Sequence, residues 1–254
     1  MSRGDLLVVD GVTLELQSWP GAASRLPVLL LHEGLGSVSL WRDFPERLAA
    51  ATGREVIAWS RRGHGLSDPV PSARDPDYMH READGLPALL DALAIRRAHF
   101  FGHSDGSSIA LIAAACFPAA VASLILEAPH VYVEELTIDS IAGIRDAFET
   151  TDLPSKMARH HANADHIFRR WNDIWLDPRF LNWNIESLLP SITAPALLIQ
   201  GRDDAYGTMD QLDRIGAVLP DIARLELDSC GHSPHRDRPR AVLDAALAFL
   251  EGRE

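Results

Sequence analysis

The chain has 254 residues, 46% hydrophobic and 24% charged, with a formal net charge of −12, which suits one soluble α/β domain with an insertion and a large core. The acidic balance argues against nucleic acid or an anionic membrane as a partner, and no apolar run approaches the ~18 residues of a membrane span. Two cysteines, Cys116 and Cys230, cannot make a disulfide framework and suit a reducing compartment; residues 1–5 lead straight into a strand pattern, so the expectation is no signal peptide and a cytoplasmic location.

Residues 5–19 read as a hairpin, with Asp10-Gly11 as a two-residue turn and alternation from Val12 to Gln17. The apolar run 27–32 is a strand buried on both faces. A glycine-containing loop at 33–37 and a helix over 40–51 follow it. A further buried strand at 55–59 leads into a second glycine loop, Ser60-Arg61-Arg62-Gly63-His64-Gly65-Leu66-Ser67-Asp68-Pro69. A proline-rich surface loop (69–76) then precedes a helix over 77–95 that Pro87 weakens or kinks. After a strand at 98–103 come an apolar helix that ends before Pro118 and a strand at 121–127. Strands alternating with helices in this way predict an α/β fold with a doubly wound, mostly parallel sheet.

Residues 134–190 break the rhythm. They carry five-residue helical fragments and three of the six tryptophans, Trp171, Trp175 and Trp183. They read as a small helical cap inserted over the sheet edge, with 1–133 and 191–254 forming the core. The rhythm resumes with a strand at 196–200, a loop at 201–204, a helix at 208–219, a strand at 223–227, a loop at 228–234 and a terminal helix at 238–251.

The chemistry centres on Gly102-His103-Ser104-Asp105-Gly106, a Gly-x-Ser-x-Gly pattern between an apolar strand and a helix rich in small residues. A serine on so tight a turn takes a strained backbone, and bulk two residues to either side would strike the neighbouring strand or helix. The turn lifts the hydroxyl to the N-terminus of the helix, where backbone N–H groups can meet a developing oxyanion. A serine hydroxyl is a poor nucleophile near neutral pH, so it needs a base and an acid that orients that base. His232, in Ser229-Cys230-Gly231-His232-Ser233-Pro234, follows the last strand, and Asp204 or its neighbour Asp203 follows the strand before it. Parallel strand ends share one rim of the sheet, so residues far apart in sequence can meet there.

On these residues the chain resembles the α/β-hydrolase superfamily over essentially its whole length. The matching motifs are Leu31-His32 with its glycine loop, Arg62-Gly63-His64-Gly65-Leu66-Ser67, the Ser104 pentapeptide, Gly201-Arg202-Asp203-Asp204 and Gly231-His232. The resemblance implies Asp204 as the acid, the third residue after the glycine of that loop. It also implies an oxyanion hole made by the backbone N–H of Asp105 and of Gly34, with Glu33 or Leu35 as neighbouring alternatives to Gly34. Within the superfamily the chain is similar to small bacterial enol-lactonases and meta-cleavage-product hydrolases, whose cap sits where 134–190 sits here. It departs from the usual pattern at Glu33, Ser60 and Asp105. Carboxylates at 33 and 105 disfavour an anionic substrate unless Arg61, Arg62 or His64 pairs with them; Asp105 is read mainly as a structural group at a helix N-terminus.

Arg62-Gly63-His64-Gly65 lacks the Lys-Ser/Thr ending of a phosphate loop, so nucleotide binding is rejected. His160, His161, Asp165 and His166 read as one exposed helix face, and no metal or cofactor is expected. Phe148, Trp171, Trp175 and Trp183 form part of the insertion's own core, with one or two of them lining the pocket. The candidate pocket residues are Glu33, Leu35, His130, Trp171 and Trp175. The reading is a serine hydrolase of a small to medium neutral ester or lactone. The alternatives are C–C bond hydrolysis of a ring-cleavage product or enol-lactone hydrolysis on the same triad, and a silent member that only binds a small molecule.

Overall fold

Five strands are buried at every residue, which requires cover on both faces of the sheet: β3 (Val28–Leu31), β4 (Val56–Trp59), β5 (Ala98–His103), β6 (Val121–Glu127) and β7 (Ala196–Gly201). The computed structural model describes residues 5–70 and 73–253. The first four residues, on which the signal-peptide expectation partly rests, and residues 71–72 of the proline-rich loop lie outside that range. With β1 (Asp5–Val9), β2 (Val12–Trp19) and β8 (Ile222–Leu227) the strands form one eight-stranded sheet in the order β1-β2-β4-β3-β5-β6-β7-β8. Strand β2 is antiparallel to both its neighbours, β1 and β4, and the strands from β4 to β8 in that order pair in parallel. Asp10 and Gly11, both at positive φ, make the expected hairpin turn.

The period of two sorts the side chains between two cores. Val28, Leu30, Val56, Ala58, Phe101 and Ile125 pack with α1 (Phe44–Thr52) and α10 (Pro239–Leu250) on one face. Leu29, Leu31, Ile57, Phe100 and Leu124 pack on the other face with α2 (Tyr78–Asp84), α3 (Leu86–Ala92) and α4 (Asp105–Cys116). The expected helix over 77–95 is thus two helices, broken at Gly85-Leu86-Pro87, because Pro87 cannot donate into the preceding turn. The expected helix at 40–51 starts later, with Pro45 in the first turn of α1.

The insertion between β6 and β7 holds α5 (Glu135–Thr150), α6 (Leu153–Met157) and α7 (Ala164–Trp175), so two of its helices are far longer than five-residue fragments. In α7, Ile167, Phe168, Trp171, Ile174 and Trp175 recur at helical spacing on the buried face, and Asn163 caps the start by accepting from the His166 N–H. Phe148 of α5 stacks on Phe168 with ring centroids 3.8 Å apart. His160 and His161 do not lie on an exposed helix face. They occupy the turn between α6 and α7, and His161 is buried there, its Nδ1 accepting from Gly65 N at 3.0 Å and its Nε2 donating to Leu35 O at 2.9 Å. These bonds pin the insertion to both glycine loops. The chain then closes through α8 (Asp210–Gly216) and α9 (Pro234–Asp237) before α10. Among the described residues no helix is long and apolar enough to cross a membrane.

The tightest approach in the core is between α4 and β3. A Cβ at Gly106 would fall on the Leu31 carbonyl, and one at Gly102 would lie 2.5 Å from the Gly106 carbonyl oxygen. Backbone meets backbone there and cannot yield. Gly106→Ala is therefore expected to cost at least about 2 kcal/mol and to lower Tm by roughly 4–8 °C. Gly143→Ala, on the exposed face of α5 with open space around its Cβ, is expected to stabilise by up to about 1 kcal/mol. Thermal unfolding of the two variants checks both signs.

Candidate active site

Strand β5 ends in a residue with an unusual backbone. Ser104 has φ 53° and ψ −118°, a region L-residues rarely enter. It is held there by its N–H donating to Glu127 O at 2.9 Å and by its carbonyl accepting from Ser107 N at 2.8 Å. The hydroxyl stands at the N-terminus of α4, 2.9 Å from Nε2 of His232, which follows β8. His232 Nδ1 lies 2.9 and 2.8 Å from the two oxygens of Asp204, which follows β7. The structure thus brings Ser104, His232 and Asp204 into one hydrogen-bonded chain.

Asp204 is fixed from behind. Gln200 Nε2 donates to its Oδ2 at 2.7 Å and the Tyr206 N–H to its Oδ1 at 2.8 Å. Asp203 has no part in the chain; its N–H donates to Cys230 O. Burial opposes ionisation of Asp204, but the charge and hydrogen bond of His232 and the Tyr206 N–H outweigh it and keep its carboxyl below the usual range. At His232 burial likewise opposes the charged form. The Asp204 charge and hydrogen bond, with Glu33 and Asp105 further off, hold its pKa above the ordinary 6.5. The histidines packed on it behave oppositely: burial keeps both His103 and His130 neutral, with His235 and His232 adding to the effect at His103 and His232 at His130.

Behind this chain, His103 donates Nε2–H to the His232 carbonyl at 2.6 Å, and His235 Nδ1 is hydrogen-bonded to Glu127 Oε2 at 2.6 Å. Burial pushes the Glu127 carboxyl up to about 8 and the His235 imidazole down to about 3, disfavouring the charged form of each. His103, Glu127 and His235 are the one group among the described residues with the donor types of a metal centre, their nearest atoms within 4.8 Å of one another. Their bonds tie β5, β6 and α9 to the loop that carries His232.

Asp105 is buried, and its charge is matched by cations. Tyr78 donates to its Oδ2 at 2.9 Å, and Arg61 and Arg74 each approach that oxygen at 3.6 Å. Arg61 also donates to Glu33 O at 2.9 Å and bridges the two glycine loops. Arg62 and His64 take no such part: Arg62 donates to Pro69 O, and His64 donates Nδ1–H to Gly36 O and accepts from Arg74. The Glu33 carboxylate accepts from the Leu35 N–H at 3.0 Å, within its own loop.

A cavity of about 190 Å³ opens beside Ser104 and His232. Every residue expected at the pocket or the oxyanion site borders it: Glu33, Gly34, Leu35, Asp105, His130, Trp171 and Trp175. Phe148 and Trp183 do not border it and belong to the core. Sequence reasoning missed Thr137, Ile141 and Ile144 of α5, along with Tyr206, whose ring packs on His232 at 4.7 Å between centroids. It also missed Arg74, Tyr78 and Gln200. Gln200 alone had a visible signal, a polar residue closing an apolar strand run. No arginine or lysine lines the cavity among the described residues. A larger cleft of about 490 Å³ runs along α7 by Arg74, Arg169, Arg170 and Arg179, and holds none of the three bonded residues.

A model of the alpha/beta hydrolase family matches residues 28–245. The human serine hydrolase BPHL is 31% identical over 206 residues, covering 78% of this chain and 69% of its own. A 2-hydroxy-6-oxononadienedioate/2-hydroxy-6-oxononatrienedioate hydrolase of Cupriavidus pinatubonensis is 27% identical over 259 residues, covering 91% of this chain and 88% of its own. The solved structure of the enol-lactonase from Burkholderia xenovorans superposes with a TM-score of 0.77 over 97% of this chain and 100% of its own, at 21% identity.

The electrostatics around His232 are open to direct titration. Followed by NMR of the imidazole nitrogens, His232 is expected to titrate above 6.5, while His130 is expected to stay neutral down through 6.5. Asp204→Asn removes the partner that favours the imidazolium and should lower the His232 midpoint; Asp203→Asn should leave it in place. A larger shift from Asp203→Asn would contradict the pairing.

Proposed function

The chain belongs to the alpha/beta hydrolase family, and on that premise we propose that it is a serine hydrolase of carboxylic esters or lactones, acting on a small neutral substrate through an acyl-Ser104 intermediate. One observation carries the reading: the unbroken chain from Ser104 Oγ through the His232 imidazole to the Asp204 carboxylate. As Oγ attacks the substrate carbonyl carbon, His232 Nε2 takes its proton, and Asp204 holds the ring in place and stabilises the resulting cation. The negative charge forming on the carbonyl oxygen is met by the backbone N–H groups of Gly34 and Asp105, both of which border the cavity at Ser104. Collapse of the tetrahedral intermediate expels the alcohol, which receives the proton from His232. A water then gives its proton to the same nitrogen and attacks the acyl-enzyme; as the bond to Ser104 Oγ breaks, His232 returns that proton to Oγ and the acid is released. The α5–α7 segment serves as the cap that shapes the acyl and alcohol sites, through Ile141, Ile144, Trp171 and Trp175.

The charge of the lining supports a neutral substrate. Glu33 and Asp105 border the cavity and no lysine or arginine does. Arg61 and Arg74 are spent on Asp105, which leaves the Glu33 carboxylate facing any incoming anion. Two like charges about 6 Å apart repel by roughly 3 kcal/mol at an effective dielectric near 20, about a hundredfold in affinity. A dicarboxylate of the kind named for the Cupriavidus relative would find no lysine or arginine in this lining among the described residues. The volume of about 190 Å³ favours small acyl and alcohol parts.

The reading is tested with a matched pair: a neutral phenyl or methyl ester and its analogue carrying a free carboxylate in the acyl part. The wild type is expected to prefer the neutral ester by at least tenfold in kcat/KM. Ser104→Ala should lower its turnover by at least about three orders of magnitude, with Tm almost unchanged. Preference for the carboxylate analogue would return the enol-lactone and ring-cleavage substrates to first place. Retained activity within tenfold in Ser104→Ala would remove Ser104 from the chemistry.

A further inference from the structure

Gly34, one of the two backbone donors proposed for the oxyanion, packs against a side chain of the insertion. A Cβ placed on it would fall 2.3 Å from Nε1 and 2.4 Å from Cδ1 of Trp171. Trp171 stands on the buried face of α7 beside Phe168, with ring centroids 6.1 Å apart, and borders the cavity at Ser104. The nitrogen edge of the indole is thus what α7 turns toward the Gly34 loop. An indole N–H can only donate, and among the described residues nothing accepts this one. Asp105 Oδ1 lies 3.3 Å from the same Cβ position, yet it accepts no hydrogen bond either. The N–H groups of Trp175 and Trp183 are fully enclosed, whereas Trp171 keeps 8% of its surface open and its N–H is reachable.

These positions bound the distance between the two donors. A Cβ lies about 2.5 Å from the nitrogen of its own residue, so the nitrogens of Gly34 and the Trp171 indole are at most about 5 Å apart. Two N–H groups that share one acceptor at about 2.9 Å each can stand up to about 5.8 Å apart. One oxygen can therefore take both. Resting on the ester-hydrolase reading above, we infer that Trp171 is a further catalytic residue, its indole N–H serving as a third donor to the oxyanion beside the N–H groups of Gly34 and Asp105. A carbonyl oxygen has two lone pairs, and the oxyanion formed from it has three and a full charge, so a third donor gains most in the transition state. The indole keeps its proton throughout and brings no charge of its own, in line with a lining that holds no lysine or arginine among the described residues. Any side chain at position 34 would push the indole away, which ties the glycine there to the donor on α7.

The experiment has two arms. Trp171→Phe keeps an aromatic ring on α7 and removes the N–H. A donor whose bond strengthens only as charge forms is expected to cost about tenfold or more in kcat on a neutral ester, with KM within about twofold of wild type. A purely structural role would raise KM or lower Tm and spare kcat, and a kcat within about twofold of wild type overturns the third donor. The second arm reads the N–H itself in wild-type protein. A small alkyl phosphonate on Ser104 puts a phosphoryl oxygen where the oxyanion forms. The ¹H–¹⁵N resonance of the Trp171 indole is expected to move downfield on phosphonylation, and its exchange with water to slow. An adduct on Ser104 that leaves the indole proton where it was overturns the third donor and leaves the ester-hydrolase reading intact. Failure of Ser104 to react removes that reading, and the third donor with it.

Discussion

A serine held at φ 53° between a strand and a helix stores strain of order 1–3 kcal/mol, and the surrounding packing is what keeps it there. Gly102 and Gly106 let α4 lie against β3 and β5 at backbone-to-backbone distance. The Glu127 carbonyl on the neighbouring strand then takes both the Ser104 N–H and the Ser107 hydroxyl. The same residue's carboxyl holds His235, three positions after His232. A single strand end therefore sets the height of Ser104 and anchors the loop of His232, so the 2.9 Å contact between them follows from main-chain geometry instead of a chance side-chain rotamer.

The charges around this turn follow one rule: each buried ion is paired, and each unpaired histidine is neutral. Asp204 is neutralised by His232 and two N–H donors, and Asp105 by Arg61 and Arg74 with the Tyr78 hydroxyl. His32 donates to Glu33 O and accepts the Arg61 N–H, and burial with the Arg61 charge keeps it uncharged. His64 is held the same way between Gly36 O and Arg74, with burial and His32 as the main causes. The neutral rings orient the guanidinium groups without adding charge. Among the histidines packed around this turn, His32, His64, His103, His130 and His235 are lowered and His232, bonded to Ser104 and Asp204, is lifted.

The parts of this arrangement legible in the sequence are those set by local spacing. Glycines two residues either side of Ser104, an acid after β7 and a histidine after β8 follow from strand-end geometry and chain order, and all three residues meet as expected. The buried strands were legible because continuous apolar runs bounded by glycine loops read as strands covered on both faces. What sequence reasoning did not see depends on contacts across the fold. Arg74 and Tyr78 reach Asp105 from a loop and a helix about thirty residues away, and no local pattern marks them. His161 looked like part of an exposed face, and only its bonds to Gly65 and Leu35 show it to be a buried anchor. The helices of the 134–190 insertion read as fragments because α5 contains an exposed glycine and many polar residues, while its buried stripe of Thr137, Ile141 and Phe148 is narrow.

The most direct measurement is covalent. A serine-directed organophosphonate bearing a small alkyl group reacts only where a base has activated a hydroxyl beside an oxyanion site. Mass spectrometry of the intact protein followed by peptide mapping is expected to find one phosphonyl group per chain, on Ser104, forming faster as pH rises through the His232 pKa and absent in Ser104→Ala. Labelling on another residue, or no labelling of the folded wild-type protein, would contradict the account of Ser104 as an activated nucleophile.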